Sequence, residues 1–496
     1  MTNRNKFFLN GAILSAVGLS MRTVGLIFGA FISRAVGAEG TGLYTLVMTV
    51  YSFAVTLATS GISLTVTRLV AAAIGENRRS DVGRVLRGAL AYALMFSALS
   101  AIALGFGAEL LSTHVIHDPR SVRSLRLLSL SLVPVALGSV FSGYFVGIKR
   151  VSANAIVQVV SQLAKVAVTV VLVTVFSSRG TEAAVTALAL GIVLSELISF
   201  LLMLIQFLAD RLKKRPGSRG TALRDVSGMA LPLAFSAYIR SGLLTLEHVL
   251  IPRRLTESGK DASEALASYG SLHGMALPLV LYPMSPLSSF SGMLVPEFAE
   301  GQGRGARMKR IASEVMNTTL AYAVAVAIFL YVFSEELGYV IYHSYDAGVY
   351  IALVAPVVPI MYLDHVTDSM LKGIGEHVFS MWVNITDSLL SVVLVWFLIP
   401  KLGIGGYALV IIIMEAYNFT LSLLRLRCRI RFSVDPFLAL VLPAACATLA
   451  AYLSHALFIM KGTATTPLWL VLKLVFAASV FLGALMTARA LARVKK

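Results

Sequence analysis

Three arginines lie within long apolar stretches of this sequence, where charged side chains are rare. They are Arg22, Arg68 and Arg240. An arginine near the centre of a bilayer costs roughly 2.5–3.5 kcal/mol on insertion scales, so it normally faces a wet cavity or a partner. A guanidinium stays protonated and presents a planar fork of donors, which suits it to bind anions such as phosphate. We therefore interpret these arginines as an anion site.

Three further basic residues belong to the same hypothesis. Lys165 lies in the middle of another apolar stretch, and Arg34 and Arg253 lie at the ends of the stretches that contain Arg22 and Arg240. The alternative for each mid-helix arginine is structural: it pairs with a carboxylate such as Glu196 or Glu247, or its side chain extends to the membrane surface. For Arg34 and Arg253 the alternative is an ordinary surface position.

Carboxylates within or near the apolar stretches form a second group of candidates. Asp364 and Asp368 are four residues apart and share one helix face, and Asn384 and Asp387, three apart, share another. The remaining members are Glu196, Glu247 and Glu415. The structural alternative for these acids is that they neutralise buried arginines or cap distorted helices.

Composition indicates which elements must hold these side chains. Of the 496 residues, 57% are hydrophobic and 14% are charged, whereas about a quarter of the residues in a soluble domain are charged. Because a membrane-crossing helix needs about 20 apolar residues, the sequence predicts an all-α polytopic membrane protein with fourteen transmembrane helices. We number these predicted spans 1 to 14: residues 7–33, 43–72, 85–112, 123–147, 154–176, 182–208, 226–252, 266–296, 311–333, 349–373, 378–400, 404–426, 435–459 and 467–489.

The distribution of charge predicts the topology. Lys and Arg residues concentrate in the loops that are cytoplasmic when both termini are cytoplasmic, as the positive-inside rule requires. The formal charge of +17 is thus a topology signal and does not indicate nucleic-acid binding. We expect the basic clusters at 211–224 and 425–431 to contact anionic lipids.

Cysteine content and loop length argue against several kinds of chemistry. Two cysteines cannot build a disulfide framework or a metal site, and the polar loops are too short for an extramembrane catalytic domain. We expect a monomer without a cofactor, driven if at all by a Na+ or H+ gradient or by the membrane potential.

An internal repeat divides the chain. The segment 11–23 around Arg22 can be laid on the segment 228–241 around Arg240. With six helices in each copy, the two lobes are related by a pseudo-two-fold axis along the membrane normal, and they enclose a central cavity that opens by alternating access. We predict an N-lobe at 1–210, a basic cytoplasmic linker at 211–225, a C-lobe at 226–432 and two additional helices at 433–496.

Prolines indicate where one of the helices breaks. Span 8 contains Pro278, Pro283 and Pro286, each of which removes a backbone donor. Breaks of this kind are tolerated where protein or a wet cavity satisfies the backbone. We expect span 8 to line the transport pathway.

Four segments, 10–22, 34–44, 60–68 and 399–408, carry a resemblance to a known family. In order and spacing they resemble the multidrug/oligosaccharidyl-lipid/polysaccharide (MOP) exporter superfamily, in particular its polysaccharide-export and stage V sporulation protein B-like branch, which is related to lipid II flippases. The resemblance implies a flippase of the bacterial plasma membrane that moves a polyprenyl-pyrophosphate-linked saccharide from the inner to the outer leaflet. The cargo would be lipid II of peptidoglycan biosynthesis or another cell-wall polysaccharide unit. The resemblance also implies that spans 13 and 14 form a groove for the lipid tail.

The resemblance gives the candidate residues specific roles. The pyrophosphate becomes the anion that Arg22, Arg68, Arg240 and Lys165 bind in the central cavity, with Arg34 and Arg253 at its external mouth. Lipid II flippases also have a cation-coupling site between spans 7, 11 and 12, which Asn384 and Asp387 match best. The match is partial, because span 7 has only Glu247, near its outer end. Asp364 and Glu415 complete the candidate coupling set.

Other functions stay open. A cation-coupled multidrug exporter of the same superfamily usually has twelve helices and an acidic cavity, whereas spans 1 and 2 contribute arginines and no acid. A membrane-embedded sugar polymerase or ligase generally needs a sizeable external loop, and the external loops near 253–266 and 335–349 are short. A third alternative is an inactive scaffold for envelope assembly.

Replacing Arg22 or Arg240 with alanine should leave the protein inserted but abolish lipid export, because the diphosphate loses a cationic partner. Lysine at either position should restore export only in part, since it lacks the planar fork. Translocation of a polyprenyl-linked saccharide by the purified variants measures both effects. Full transport by the Arg22/Arg240 double alanine variant would contradict the cavity hypothesis.

Overall fold

The computed structural model describes residues 3–59, 61–76, 81–176, 179–211, 222–300, 305–459 and 466–494. Within these ranges the chain is helical and contains no strand, which confirms the all-α prediction. Most of the basic linker predicted at 211–225 lies outside the described residues.

Eighteen α-helices are connected by short turns and by brief π and 3₁₀ segments. They are α1 (Asn3–Thr59), α2 (Ile62–Gly75), α3 (Asp81–Leu110), α4 (Val122–Ser129), α5 (Leu132–Gly147), α6 (Val151–Phe176), α7 (Thr181–Arg211), α8 (Leu223–Glu257), α9 (Ala262–Tyr269), α10 (Leu277–Leu281), α11 (Ser285–Glu300), α12 (Gly305–Val332), α13 (Ser334–Tyr342), α14 (Tyr345–Val354), α15 (Val358–Gly373), α16 (His377–Arg429), α17 (Leu442–Ile459) and α18 (Pro467–Val494), counted over the described ranges.

The helices are those of a multi-pass membrane protein. In the described part of the chain, nine helical stretches are long and apolar enough to cross a membrane, or up to eleven if each of two bent helix pairs forms one span. Two long helices contain kinks at glycines with positive φ, Gly37 in α1 (φ 72°) and Gly403 in α16 (φ 59°), a backbone region that glycine adopts without a steric penalty. The sequence predicted a break at both places. The count of fourteen spans stays a prediction.

Contacts group the helices into two compact units. Unit 1 comprises Met1–Arg34 and Arg254–Lys496, and unit 2 comprises Ala35–Arg253. The boundaries fall inside α1, just before the Gly37 kink, and inside α8. The helix that begins each predicted repeat therefore packs in the unit formed mainly by the other repeat. The predicted lobes are divisions of the sequence, and their boundaries stay a prediction.

In unit 2, helices α2 and α5 pack at very short range. The Thr67 hydroxyl donates to the Gly143 carbonyl at 3.1 Å, and a Cβ at Gly143 would lie 2.6 Å from the Ser63 carbonyl oxygen. Around this contact Val66 and Phe141 belong to one buried apolar cluster. Small residues let membrane helices approach closely, so that van der Waals packing holds the unit together.

In unit 1, predicted span 8 is interrupted where its prolines indicated. A 3₁₀ turn, Tyr282–Met284, separates α10 from α11. Two carbonyl oxygens at the break accept hydrogen bonds from tyrosines of other helices: Tyr362 donates to Val280 at 3.1 Å, and Tyr322 donates to Pro283 at 2.7 Å. Partners supplied by neighbouring helices are what make a broken helix tolerable within a membrane.

Within unit 1, an ion pair connects the last helix to α13. The side chain of Lys473 on α18 is buried, and its Nζ donates to Glu336 Oε1 of α13 at 2.6 Å and lies 3.2 Å from His455 Nδ1 of α17. A buried lysine whose partner is removed strongly destabilises a fold. The pair therefore holds α18 against α13.

Replacing Glu336 with glutamine should lower the unfolding temperature of the detergent-purified protein, because Lys473 keeps its charge in an apolar site. Removing one partner of a buried ion pair costs roughly 3–5 kcal/mol, and partial exposure of Glu336 places this case at the lower end. Lys473→Met in the same background should recover most of the loss. Glu335→Gln, at the exposed neighbouring acid, is the matched control; an equal loss from it, or no recovery, would contradict the assignment.

Candidate functional site

Arg22 lies in the first half of α1, within unit 1, and its guanidinium contacts the break between α10 and α11. Its Nη1 donates to the Ser285 hydroxyl at 3.0 Å, and the hydroxyls of Thr23 and Tyr282 share a hydrogen bond of 2.7 Å. The rest of the Arg22 side chain is exposed. No carboxylate among the described residues forms an ion pair with it, so most of its five donors lack a protein partner there.

In the described structure, helix α15 is linked to this arginine by an electrostatic effect alone. The charge of Arg22 acts on the imidazole of His365, whose Nε2 is buried and has no hydrogen-bond partner in the described ranges. A buried polar atom left without a partner costs about 1–3 kcal/mol. Its position near Arg22 indicates a place where a ligand or a water molecule supplies the missing bond.

Three of the predicted coupling acids come together in unit 1. Asp364 on α15 and Asp387 and Glu415 on α16 act electrostatically on one another. One oxygen of Asp364, Oδ1, is buried and accepts no hydrogen bond from any described residue. Like charges in an apolar interior repel one another, and a role of this cluster in ion coupling stays a prediction.

The kink in α16 explains how residues so far apart in sequence meet. Gly403 has a positive φ, and a Cβ at Gly406 would lie 2.6 Å from the Leu398 carbonyl oxygen. Beyond this tight turn the two halves of the helix contact each other, because Thr386 and Tyr417 share a hydrogen bond of 3.0 Å. The turn thus brings the Asp387 half of α16 onto the Glu415 half.

The other predicted coupling residues contribute differently. Asn384 donates through Nδ2 to the Ser380 carbonyl at 2.6 Å, which leaves its carbonyl oxygen as the potential cation ligand. Asn418, which the sequence did not single out for this site, has a buried Oδ1 that lacks a partner in the described structure. Glu247 is buried in unit 2. Over the described residues, no group of three or more His, Cys, Asp or Glu side chains has the spacing to hold a metal ion.

The remaining predicted cavity arginines differ in their surroundings. Arg68 and Arg240 of unit 2 are exposed and make no hydrogen bond or ion pair with any described residue. Arg253 is also exposed. Arg34, in contrast, donates through Nε to the Ile341 carbonyl at 2.8 Å and through Nη2 to Val340.

The contacts of Arg34 give it a structural role. Its guanidinium caps the carboxyl end of α13, where unsatisfied carbonyls and the helix dipole favour a positive charge. A position at the external mouth of a cavity stays a prediction for Arg34. Lys165, the last of the predicted cavity residues, lines a polar cavity inside unit 2 that also contains Glu196.

One buried arginine escaped the sequence analysis. Arg254 lies over the Trp396 ring, 3.0 Å from its centroid, and pairs with Glu257. Arginine stacks well on aromatic faces. The Arg254 to Glu257 spacing of three residues on one helix was a signal that could have separated it from its exposed neighbour Arg253.

Two arginines of the basic cluster at 425–431 are paired with an acid. Arg425 and Arg429 donate to Glu376 at 2.8 Å and 2.7 Å, and these bonds, chiefly that from Arg425, hold the pKa of Glu376 below its usual value. Arg427 lies over the Phe432 ring. Contact of this cluster with anionic lipids stays a prediction.

Charged side chains beside broken and kinked helices are typical of membrane transporters. The chain matches the family described as "Polysaccharide biosynthesis protein" over residues 8–302 and the MatE family over residues 258–397. The first match spans more than half of the sequence. The chain belongs to the polysaccharide biosynthesis protein family of the MOP exporter superfamily.

Two related proteins come from Bacillus subtilis (strain 168). Stage V sporulation protein B is 27% identical over 420 residues, which cover 82% of this chain and 80% of that protein. Sporulation protein YkvU is 21% identical over 362 residues, which cover 71% of this chain and 79% of that protein. The first of these confirms the branch predicted from the sequence.

Solved structures share the fold. The lipid II flippase MurJ, in an inward closed conformation, aligns with a TM-score of 0.73 at 12% identity and covers 97% of this chain and 100% of its own. An inward-facing multidrug resistance MATE family transporter aligns with a TM-score of 0.64 at 16% identity and covers 84% of this chain and 98% of its own. The chain thus has the fold that these two proteins share.

Replacing Asp364 with asparagine should raise the unfolding temperature of the purified protein in sodium-free buffer, because one of three mutually repelling charges is removed. The same change should reduce the stabilisation that Na+ or mild acid gives the wild type, since binding to the folded state stabilises it. Glu314→Gln is the control, because Glu314 is an exposed acid of α12 that forms no ion pair with any described residue. A lower unfolding temperature for Asp364→Asn, or unchanged ion stabilisation, would remove Asp364 from the cluster.

Proposed function

We propose that the chain is a flippase that works by alternating access. Its cargo is a polyprenyl-pyrophosphate-linked saccharide, either lipid II or another oligosaccharide unit of the cell envelope. Transport runs from the inner to the outer leaflet of the bacterial plasma membrane, with both termini of the chain in the cytoplasm. The observation that carries the proposal is the environment of Arg22.

Arg22 is placed to receive an anion. Its guanidinium donates one bond to Ser285 and meets no acid among the described residues. Phosphate oxygens accept several bonds from a guanidinium at once, and the nearby Nε2 of His365 is a further polar atom without a described partner. A diphosphate satisfies these groups, whereas a cationic drug would be repelled by the arginine.

Two arginines of unit 2 also support the proposal. Arg68 and Arg240 are exposed and are not neutralised by any described residue. Exposed arginines without acids attract an anionic headgroup through their summed field. In this proposal these two arginines attract the diphosphate headgroup of the cargo, while Arg34 stabilises the fold.

The carboxylate cluster supports ion coupling. Asp364, Asp387 and Glu415 share one region of unit 1, and Asn384 offers an uncharged oxygen on the same face of α16 as Asp387. Uptake of Na+ or H+ relieves their mutual repulsion and so changes the stability of whichever conformation holds the cluster together. We propose this as the route by which an ion gradient or the membrane potential drives transport.

A cation-coupled multidrug exporter is the second candidate. The MatE match over residues 258–397 includes two of the three clustered acids, Asp364 and Asp387, and the fold is shared with a multidrug transporter. Under this alternative the acids bind the cargo itself. The two candidates therefore differ in the sign of the charge that is transported.

Proteoliposomes containing the purified protein can separate these candidates by cargo. The cargoes are a fluorescent polyprenyl-diphosphate-linked saccharide, its monophosphate analogue, a neutral glycolipid and a cationic dye, each measured with and without a sodium or proton gradient. We expect the diphosphate lipid to move fastest, about tenfold faster than the neutral lipid, because phosphate oxygens engage the arginines bidentately and a neutral headgroup does not. Arg310→Gln, at an exposed arginine of α12, is the control for Arg22→Gln.

Transport of the dye alone would establish the exporter in place of the flippase. Equal rates for diphosphate and neutral lipids would contradict the role of the arginines.

A further inference from the structure

Unit 2 contains a polar cavity of about 520 Å³ enclosed by α5, α6 and α7. This volume falls within the roughly 300–1,000 Å³ of small-molecule sites in proteins. The lining residues that matter most are Ser142, Asn154, Gln158, Gln162, Lys165 and Glu196. The described structure thus holds carboxamides, hydroxyls and two opposite charges around one space.

The sequence of α6 is built for such a cavity. Polar residues recur along one face of the helix at intervals of three or four, while Ile156 and Leu163 on another face are exposed, at 59% and 51%. This pattern is the inverse of a soluble amphipathic helix, because the apolar face is outside and the polar face is inside. The polar residues of this face that line the cavity are Asn154, Gln158, Gln162 and Lys165, of which Gln158 is also exposed.

The two charges in the cavity balance each other. Lys165 and Glu196 interact electrostatically, yet no hydrogen bond or direct ion pair joins them in the described structure. Charges held apart in a membrane protein leave polar space between them, and their sum is zero. A neutral ligand with many hydrogen-bonding groups fits this balance better than an ion.

Some polar atoms of the cavity wall lack partners. Asn154 donates through Nδ2 to the Ser142 hydroxyl at 2.9 Å, which fixes its carboxamide, but its Oδ1 is buried without a donor from any described residue. The same holds for the Ser161 hydroxyl. Unsatisfied groups at membrane depth cost several kcal/mol each. A bound molecule that brings its own donors and acceptors removes this cost.

We propose that this cavity binds a neutral saccharide unit of one or two rings that carries hydroxyl and acetamido groups, and that this unit is the sugar of the transported lipid. The identification of the sugar with the cargo rests on the proposed flippase function. The carboxamides of Gln158 and Gln162 match the amide of an acetamido group, since each offers both a donor and an acceptor. Phe200, which also lines the cavity, offers an apolar ring against which a sugar face can pack.

Calorimetric titration of the full-length, detergent-purified protein tests the site with free sugars. The probes are N-acetylglucosamine, N,N′-diacetylchitobiose, glucose and cationic glucosamine. We expect the acetylated sugars to bind about tenfold more tightly than glucose or glucosamine, because they add amide hydrogen bonds without adding charge. The Gln158→Ala/Gln162→Ala double variant should lose at least about tenfold in affinity, whereas Gln206→Ala, at a glutamine of α7 outside the cavity lining, should bind like the wild type.

Ser161→Ala provides a second variant that keeps the fold, because its hydroxyl makes no hydrogen bond with any described residue. It should weaken sugar binding and leave the unfolding temperature equal or higher. Absence of sugar binding by the wild type, or equal binding by the wild type and both cavity variants, would overturn the proposal. Lipid translocation by the same wild-type preparation separates the sugar site from the flippase function. Flipping without sugar binding would overturn only the proposed sugar site. Sugar binding that the variants weaken, without flipping, would overturn only the proposed transport function.

Discussion

A guanidinium within a membrane-spanning helix must be matched by polar groups, and the protein matches Arg22 only in part, through one hydrogen bond. In unit 1 the matching groups are supplied by a helix break. Prolines interrupt predicted span 8 at Tyr282–Met284, and the Ser285 hydroxyl beside the break accepts from Arg22. Tyr322 and Tyr362 satisfy carbonyls of the same region. The prolines thus open the helix, the tyrosines satisfy its freed carbonyls, and a hydroxyl beside the break binds the arginine.

Helix α15 connects the two kinds of charge found in unit 1. His365 feels the charge of Arg22, and its neighbour in sequence, Asp364, belongs to the carboxylate cluster. An anion near Arg22 and a cation at the cluster therefore act on adjacent residues of one helix. In the proposed transport cycle, binding of a coupling ion changes the field at the headgroup site through this helix.

Much of this architecture could be predicted from the sequence because it depends on local signals. Apolar stretches indicated the all-α membrane class and the interruptions near Gly37 and Gly403, and prolines marked the break in span 8. Mid-helix arginines and acids were visible as exceptions in apolar surroundings. What could not be predicted depends on tertiary packing: Arg34 caps α13, and Arg254, not Arg253, is buried against an aromatic ring. Contacts between residues hundreds of positions apart leave no periodic trace in the sequence.

The central claim, that Arg22 is a ligand for a lipid diphosphate, is tested most directly by equilibrium binding of a short-chain prenyl diphosphate to the purified protein. The same chain with a monophosphate and with a free hydroxyl serves for comparison, each over a range of salt concentrations. The account predicts that the diphosphate binds most tightly, that salt weakens it, and that Arg22→Gln reduces its affinity about tenfold or more while leaving the alcohol unaffected. Equal affinities for diphosphate and alcohol, or an Arg22→Gln variant that binds the diphosphate as well as the wild type, would contradict the account.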